Sequence, residues 1–463
     1  MISPKLVFYW LGRVFMEFSQ AQKLALEVVP TLRPVMEQVG NAIWNFAETG
    51  TQEVRSAHFL AGLLEEQGFL VTRGVGGFPT GFIAQYKTGD GPVLALLCEY
   101  DALPALSCDA PGENGHGCGH NLFGSAAVGT ALSLKQVMDA KGLKGTIRVY
   151  GTPGEENCSA KAYYVHQGLF DDVDCSVGFH CHNKNEVNYS VLTGTLIKNY
   201  IFTGQTAHAG DCPWEGRSAL DAVEIMNVAC NYLREHVPTD VRIQYIITKG
   251  GDAFNVVPGL AASQYCIRSI NMDTLHSVDE RVENCAKAAA LATGCTYKSE
   301  VLDITHNLVL VREYAQLAQQ YLEAVGAPAF SEQEQAAAKG ICGGIGLSTA
   351  IEPLPYVEKI VGGASDEGDV SWVVPHTSIH VANVALNTIG HTVEYTKQAN
   401  MPAAYTAMQT QVKATACMLV DLLENPQKVV ELKAAHAAKM DSRKYHKNPD
   451  YRPDPKLLEG LQA

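Results

Sequence analysis

The sequence predicts an α/β fold: a mostly parallel sheet with helices on both faces, into which a second, βαββαβ unit is inserted. Three observations lead there. Short continuous apolar runs such as Val93-Leu94-Ala95-Leu96-Leu97-Cys98 alternate with helical patterns, as strands of a parallel sheet buried on both faces do. Reactive residues follow these runs at their C-terminal ends, where open α/β sheets form their ligand crevice. From about residue 193 the rhythm becomes strand, helix, two strands, helix, strand, the order of a ferredoxin-like sandwich.

In chain order, residues 20–70 carry helical periodicity with breakers, and Gly74-Val75-Gly76-Gly77 opens a strand-rich stretch. The run at 93–98 ends in Glu99-Tyr100-Asp101. A helix follows over 125–140, then a strand over 145–150 that runs into Thr152-Pro153-Gly154-Glu155-Glu156, and a third strand over 173–179 that stops at His180. The inserted unit reads as strand 195–203, helix 218–235, strands 241–248 and 261–270, helix 275–293 and strand 296–302. After 310 helical and strand patterns resume, with glycine loops at 343–346 and 362–363 and a closing helix over 406–423. The last thirty residues, rich in Lys, Pro and Asp, predict a surface tail. The expected division is a main domain in two segments, 1–192 and 306–463, interrupted by 193–305.

Composition then narrows the function. With 46% hydrophobic and 18% charged residues over 463 positions, the chain is globular rather than disordered. Lys plus Arg is 35 against 49 for Asp plus Glu, a net charge of −14, which repels nucleic-acid phosphates and anionic lipid. The apolar stretch at residues 6–11 is too short to span a bilayer and lacks a small-residue cleavage site, so it reads as a packed or frayed extension. Thirteen scattered cysteines, an odd number, indicate a reducing, cytoplasmic setting.

The densest chemical signal is Gly115-His116-Gly117-Cys118-Gly119-His120-Asn121. Glycines let the backbone turn tightly so that Cys118 and His120 converge, and thiolate with imidazole is a zinc-type donor set. Adjacent carboxylates at a strand end diverge, so one of Glu155 and Glu156 can bind metal while the other holds the attacking water, as metal-assisted hydrolysis requires. His180 and His182 share one face of an extended segment. His180 is the better ligand candidate because it directly follows the apolar run. A nucleophilic Cys118 activated by His120 or His116 is the rival chemistry, but it explains neither the glutamate pair nor the later histidines.

Taken in order, these stretches resemble a known family. They run from Glu99-Tyr100-Asp101-Ala102-Leu103-Pro104 through Gly115–Asn121, Gly154-Glu155-Glu156, Gly204-Gln205-Thr206-Ala207-His208-Ala209, Gly216-Arg217-Ser218-Ala219-Leu220-Asp221-Ala222 and Asn255-Val256-Val257-Pro258. Ser365-Asp366-Glu367-Gly368-Asp369-Val370-Ser371-Trp372 and Gly390-His391-Thr392 complete the series. The chain is similar to the dizinc carboxypeptidase and aminoacylase hydrolases with an inserted dimerisation or lid domain, and within them to the branch of the aminobenzoyl-glutamate hydrolases and auxin-conjugate amidohydrolases.

That resemblance implies that Cys118, His120, Glu156, His180 and His391 are metal ligands and that Glu155 is the general base. It also implies that His208 reaches into a partner subunit's site to stabilise the oxyanion, and that Asn255 and Arg268 bind the substrate's terminal carboxylate. One or two divalent ions per subunit, zinc or manganese, and a homodimer formed through the inserted domain go with it. The implied reaction cleaves the amide of an N-acyl or N-aroyl amino acid, aminobenzoyl-glutamate-like amides included. The alternatives are a dipeptidase using the same site and a catalytically silent metal-binding or assembly protein of this fold. Two positions depart from the wider pattern: Glu99 stands where many dizinc members carry histidine, and Cys118 where other branches carry a bridging aspartate. Asp366 and Asp369 are read equally as helix caps or as residues orienting ligands.

Overall fold

A computed structural model describes residues 16–441, 443–448, 450–459 and 461. The apolar stretch at residues 6–11 lies outside the described residues. The strands, in chain order, are β1 (Leu70–Arg73), β2 (Phe82–Lys87), β3 (Val93–Cys98), β4 (Thr146–Gly151), β5 (Cys175–His182), β6 (Glu186–Val187) and β7 (Ser190–Val191). They continue as β8 (Gly194–Thr203), β9 (Arg242–Lys249), β10 (Leu260–Ser269), β11 (Thr296–Thr305), β12 (Lys359–Ile360) and β13 (His376–Ala382).

The main sheet has the order β1-β2-β4-β3-β5-β13-β6. Its centre, β4-β3-β5-β13, is parallel, and antiparallel pairs close it at both edges. The apolar run of β3 has a direct cause. Leu94, Leu96 and Cys98 pack into the core beneath the helices Arg33–Phe46, His120–Lys141 and Pro402–Glu424, while Ala95 and Leu97 pack on the opposite face with Tyr150, Tyr164 and Phe170. A strand covered on both faces cannot alternate with polar residues.

The strands β8 to β11 form a separate antiparallel sheet in the order β11-β8-β10-β9. Counted along the chain this is 4-1-3-2, and the helices Ala219–Leu233 and Met272–Thr293 cover it, burying Val223, Met226, Leu275 and Val282 in a core of their own. This is the expected ferredoxin-like insertion.

Two expectations change. β5 does not stop before His180; it runs on to His182 because its end is held in parallel register by β13. The closing helix is followed by another, Pro426–Met440, and the described residues beyond it are not a loose tail. Tyr451 stacks on Tyr163 with ring centroids 4.2 Å apart, and Tyr445 donates a 2.6 Å hydrogen bond to Asp369. These aromatic rings anchor the segment on the main domain, whatever the Lys, Pro and Asp between them suggest. Among the described residues no helix is long and apolar enough to cross a membrane.

Candidate metal centre

The glycine-rich turn ends at Gly119, whose φ of +86° is in the left-handed region. A side chain there would be strained, and its Cβ would also press on Cys181 Sγ at 3.0 Å. This turn delivers His120 as the first residue of the buried helix His120–Lys141, with Cys118 at that helix's N-terminal end. His120 Nδ1 donates to Asp101 at 2.8 Å. Its Nε2 is thereby aimed at Glu99 Oε2, 3.4 Å away, and Glu156 Oε1, 3.9 Å away. A carboxylate behind a histidine in this way fixes the tautomer of a metal-ligating ring.

At the end of β5, His180 Nδ1 lies 2.6 Å from the Cys181 carbonyl, which can only accept. The free Nε2 therefore faces Cys118 Sγ at 3.9 Å. His391 reaches the same point from a loop, with a left-handed φ of +61°, its N–H bonded to the Gly117 carbonyl at 2.9 Å and its Nε2 3.2 Å from Glu156 Oε1. A non-glycine residue in that conformation is strained, and such strain collects at functional sites. His180 and His391 thus adjoin the group of Cys118, His120 and Glu156, the first through Cys118 and the second through Glu156. One ligand atom each from Cys118, His120 and Glu156 lie within 4.8 Å of one another.

The chemistry of the donor set fits a divalent transition metal: a sulfur, three imidazoles and a carboxylate. Glu156 Oε1 is buried between the Nε2 atoms of His391, at 3.2 Å, and His120, at 3.9 Å. Burial opposes ionisation of Cys118, but His120, with help from His180 and His391, outweighs it and holds the thiol well below its usual range. A thiolate is the form that binds metal.

Glu155 points elsewhere. Its carboxylate groups with those of Glu99 and Asp366, within 4.8 Å of each other, around the fully buried Lys161. Lys161 Nζ lies 2.8 Å from Glu99 Oε1 and 2.5 Å from Asp366 Oδ1, and the Lys161 N–H donates to Asp366 Oδ2 at 2.9 Å. Burial, then Glu99 and Asp366, push the Glu155 carboxyl well above the usual carboxylate range. Burial also works against the Lys161 charge, but Asp366, Glu99 and Glu155 override it and keep the ammonium protonated. Glu53, itself buried, accepts the Gly154 N–H at 2.7 Å, and Asp101 accepts that of Glu156 at 3.0 Å, so the turn carrying the glutamate pair is held from both sides.

The remaining predicted residues lie on the inserted unit. His208 is in an exposed loop, its Nδ1 accepting the Gly210 and Asp211 N–H groups at 3.2 and 3.1 Å. Asn255 is beside it: the Ala209 N–H donates to the Asn255 carbonyl at 3.0 Å. Among the described residues no hydrogen bond or ion pair links His208 to the cluster of its own chain. Arg268, on β10, approaches the Gly362 carbonyl with Nη1 at 3.4 Å, and its buried Nε has no hydrogen-bond partner. Neither aspartate of the 362–372 stretch caps the helix Glu367–Val373: Asp366 pairs with Lys161, and Asp369 accepts from His306 and Tyr445. Sequence reasoning missed the roles of Lys161 and of Asp101. For Lys161 the available signal was a lone cation in a short helix, Ala160–His166, that is otherwise buried.

Residues 189–293 match the family model described as the peptidase dimerisation domain, M20 type. The chain is 34% identical to one of the subunits of p-aminobenzoyl-glutamate hydrolase from Escherichia coli (strain K12), covering 88% of this chain and 93% of that one. It is 29% identical to the Xaa-Arg dipeptidase of Mus musculus over 89% of this chain and 90% of the relative. Among solved structures it resembles a dinuclear metal binding peptidase from the M20 family of Bacillus subtilis, with a TM-score of 0.57 and 17% identity over 84% of this chain and 99% of the other.

Proposed function

We propose, because this chain belongs to the M20 peptidase family of metal-dependent amidohydrolases, that it cleaves the amide of an N-acyl or N-aroyl amino acid with an acidic leaving group, of the aminobenzoyl-glutamate type. The observation that carries the reading is the divergence of two neighbouring glutamates. Glu156 faces the thiolate and imidazoles, and Glu155 faces the Lys161 cluster.

In this reading Cys118, His120, Glu156, His180 and His391 hold one or two divalent ions, zinc or manganese. The chemistry such an ion supplies is polarisation of the scissile carbonyl and acidification of a water at neutral pH. Glu155 takes the proton from the attacking water and returns it to the leaving amine, a task that suits a carboxyl held above the usual carboxylate range by burial and by its carboxylate neighbours Glu99 and Asp366. His208 of a second copy of the chain donates to the oxygen that becomes negative. The guanidinium of Arg268 and the amide of Asn255 bind the carboxylate of the leaving amino acid, which the net charge of −14 would otherwise repel.

A homodimer is part of the proposal. β9 is a free sheet edge, and beside it Ile225, Val228, Tyr232, Ile246 and Ile247 are exposed. An uncovered edge flanked by apolar side chains favours strand pairing or burial against a partner. If His208 acts across that interface, His208→Ala and Glu155→Ala chains, each inactive alone, will recover activity when co-expressed. Random pairing predicts about a quarter of the wild-type rate, since half the dimers carry one complete site. No recovery would rule out action in trans. A cytoplasmic setting accords with all thirteen cysteines being free thiols.

A dipeptidase using the same site is the second reading, favoured by the similarity to the mouse Xaa-Arg dipeptidase. A panel of N-aroyl-glutamates, N-acyl-aspartates and dipeptides separates the two. The first reading expects the highest kcat/KM on the acyl and aroyl acidic amino acids, with at least a tenfold loss on Arg268→Ala. Preferential cleavage of dipeptides with a free amino group would replace it with the second.

A further inference from the structure

A second group of metal-type donors lies beside the first and is used by nothing described above. Because β5 and β13 pair in parallel with His380 opposite His180 and Ala382 opposite His182, the side chains of His180, His182 and His380 rise from one face of the sheet. The His380 ring centroid lies 5.2 Å from that of His180 and 5.4 Å from that of His182. On the other side of His380, β6 pairs antiparallel with β13 and sets Glu186 directly opposite it. Glu186 Oε1 is 3.7 Å from His182 Nδ1, and one donor atom from each of His182, Glu186 and His380 lies within 4.8 Å of the other two.

Three features distinguish this group from a chance meeting of polar side chains. First, its geometry is built. The turn joining His182 to Glu186 is pinned by the fully buried Asn185, which donates to the carbonyls of Ser348 and Ala350 at 3.1 and 2.9 Å and accepts the Ala382 N–H at 2.9 Å. Second, Ser378 Oγ stands 3.0 Å from His380 Nε2, a contact that fixes ring orientation and tautomer, as groups behind metal ligands do. Third, His182 Nδ1 is buried with no hydrogen-bond partner, and such an atom ordinarily costs stability unless something binds it. The charges at the rim are Lys359, whose Nζ is 3.7 Å from Glu186 Oε2, and Lys184, which is turned to Glu352 at 3.5 Å.

We propose that His182, Glu186 and His380 form a further divalent-cation site, distinct from the cluster around Cys118. Two imidazoles and one carboxylate select zinc or manganese over magnesium or calcium, which prefer oxygen donors throughout. With three protein ligands and a position at the open C-terminal edge of the sheet, its cation exchanges more readily than one held by the five-ligand cluster. Bound metal reads this site out directly, whichever amide the enzyme cleaves.

The test is the metal content of the full-length protein, titrated with zinc and separately with manganese, and measured by elemental analysis and calorimetry. Wild type will bind one more equivalent per chain than Glu186→Gln or His380→Gln. That equivalent will be the weaker one, lost first on dialysis, and each variant will lower its affinity at least tenfold. Thermal unfolding of the metal-free proteins checks the fold, and Glu186→Gln, at the rim of the group, keeps the test available if His380→Gln misfolds. Equal stoichiometry and affinity in wild type and Glu186→Gln would overturn the proposal, whatever the hydrolysis assays show.

Discussion

Glu155→Gln will lower kcat by about 10²- to 10⁴-fold, the usual contribution of a positioned general base, and will leave the bound metal unchanged. Retention of the metal is what makes this outcome specific. Glu155 groups with Glu99 and Asp366 around Lys161, while the metal ligands we propose are Cys118, His120, Glu156, His180 and His391. An amide in place of the carboxylate keeps the shape and removes the ability to accept a proton. Glu156→Gln, by contrast, alters a proposed metal ligand and should lose both metal and turnover. Steady-state rates paired with elemental analysis read the difference. Unchanged kcat in Glu155→Gln, or metal loss as large as in Glu156→Gln, would exclude the division of labour between the two carboxylates.

Lys161→Met will destabilise the protein by about 3–5 kcal/mol, the cost of removing one partner from a buried ion pair and leaving the other uncompensated. Lys161 is fully buried, and its ammonium is shared by Glu99 and Asp366, neither of them free to reach water. Without it three carboxyl groups, counting Glu155, remain close together in a poorly solvated space, and at neutral pH they must repel or take up protons. Urea denaturation of the metal-free protein gives the measurement. A change below about 1 kcal/mol, the range of an exposed ion pair, would mean that the cluster is better hydrated than its burial indicates. Because the same ammonium lies beside Glu155, the folded fraction of Lys161→Met should also turn over more slowly than wild type.

How far the sequence foretold this molecule varies with the physics involved. β3 could be read because burial on both faces forces every residue to be apolar, and the βαββαβ insertion because each element is amphipathic with its own period. Four members of the proposed ligand set could be read from residue types that are chemically unusual in their settings, a thiol and an imidazole among glycines, paired glutamates at a strand end and a histidine after an apolar run; His391, and the choice of Glu156 within the pair, came only from the family resemblance. Spacing alone could not separate His180 from His182. The structure does so through register, turning one toward Cys118 and the other toward Glu186 and His380. Lys161 was hidden because a lysine usually marks solvent, and only the carboxylates folded over it, from residues 99 and 366, reveal its burial. The C-terminal segment misled for a related reason. Its composition is that of a tail, but Tyr445 and Tyr451 find partners in Asp369 and Tyr163, far away in the sequence.

The central claim is that a divalent metal held by Cys118, His120, Glu156, His180 and His391 runs amide hydrolysis. It is tested most directly by the hydrolysis rate on an N-aroyl-glutamate before chelation, after removal of metal, and after return of zinc or manganese in stoichiometric amount. Activity will disappear with the metal and return on reloading, and Cys118→Ala and His391→Ala will neither retain the metal nor recover. Full turnover by metal-free protein, or reloading of those two variants to the wild-type rate, would contradict the claim.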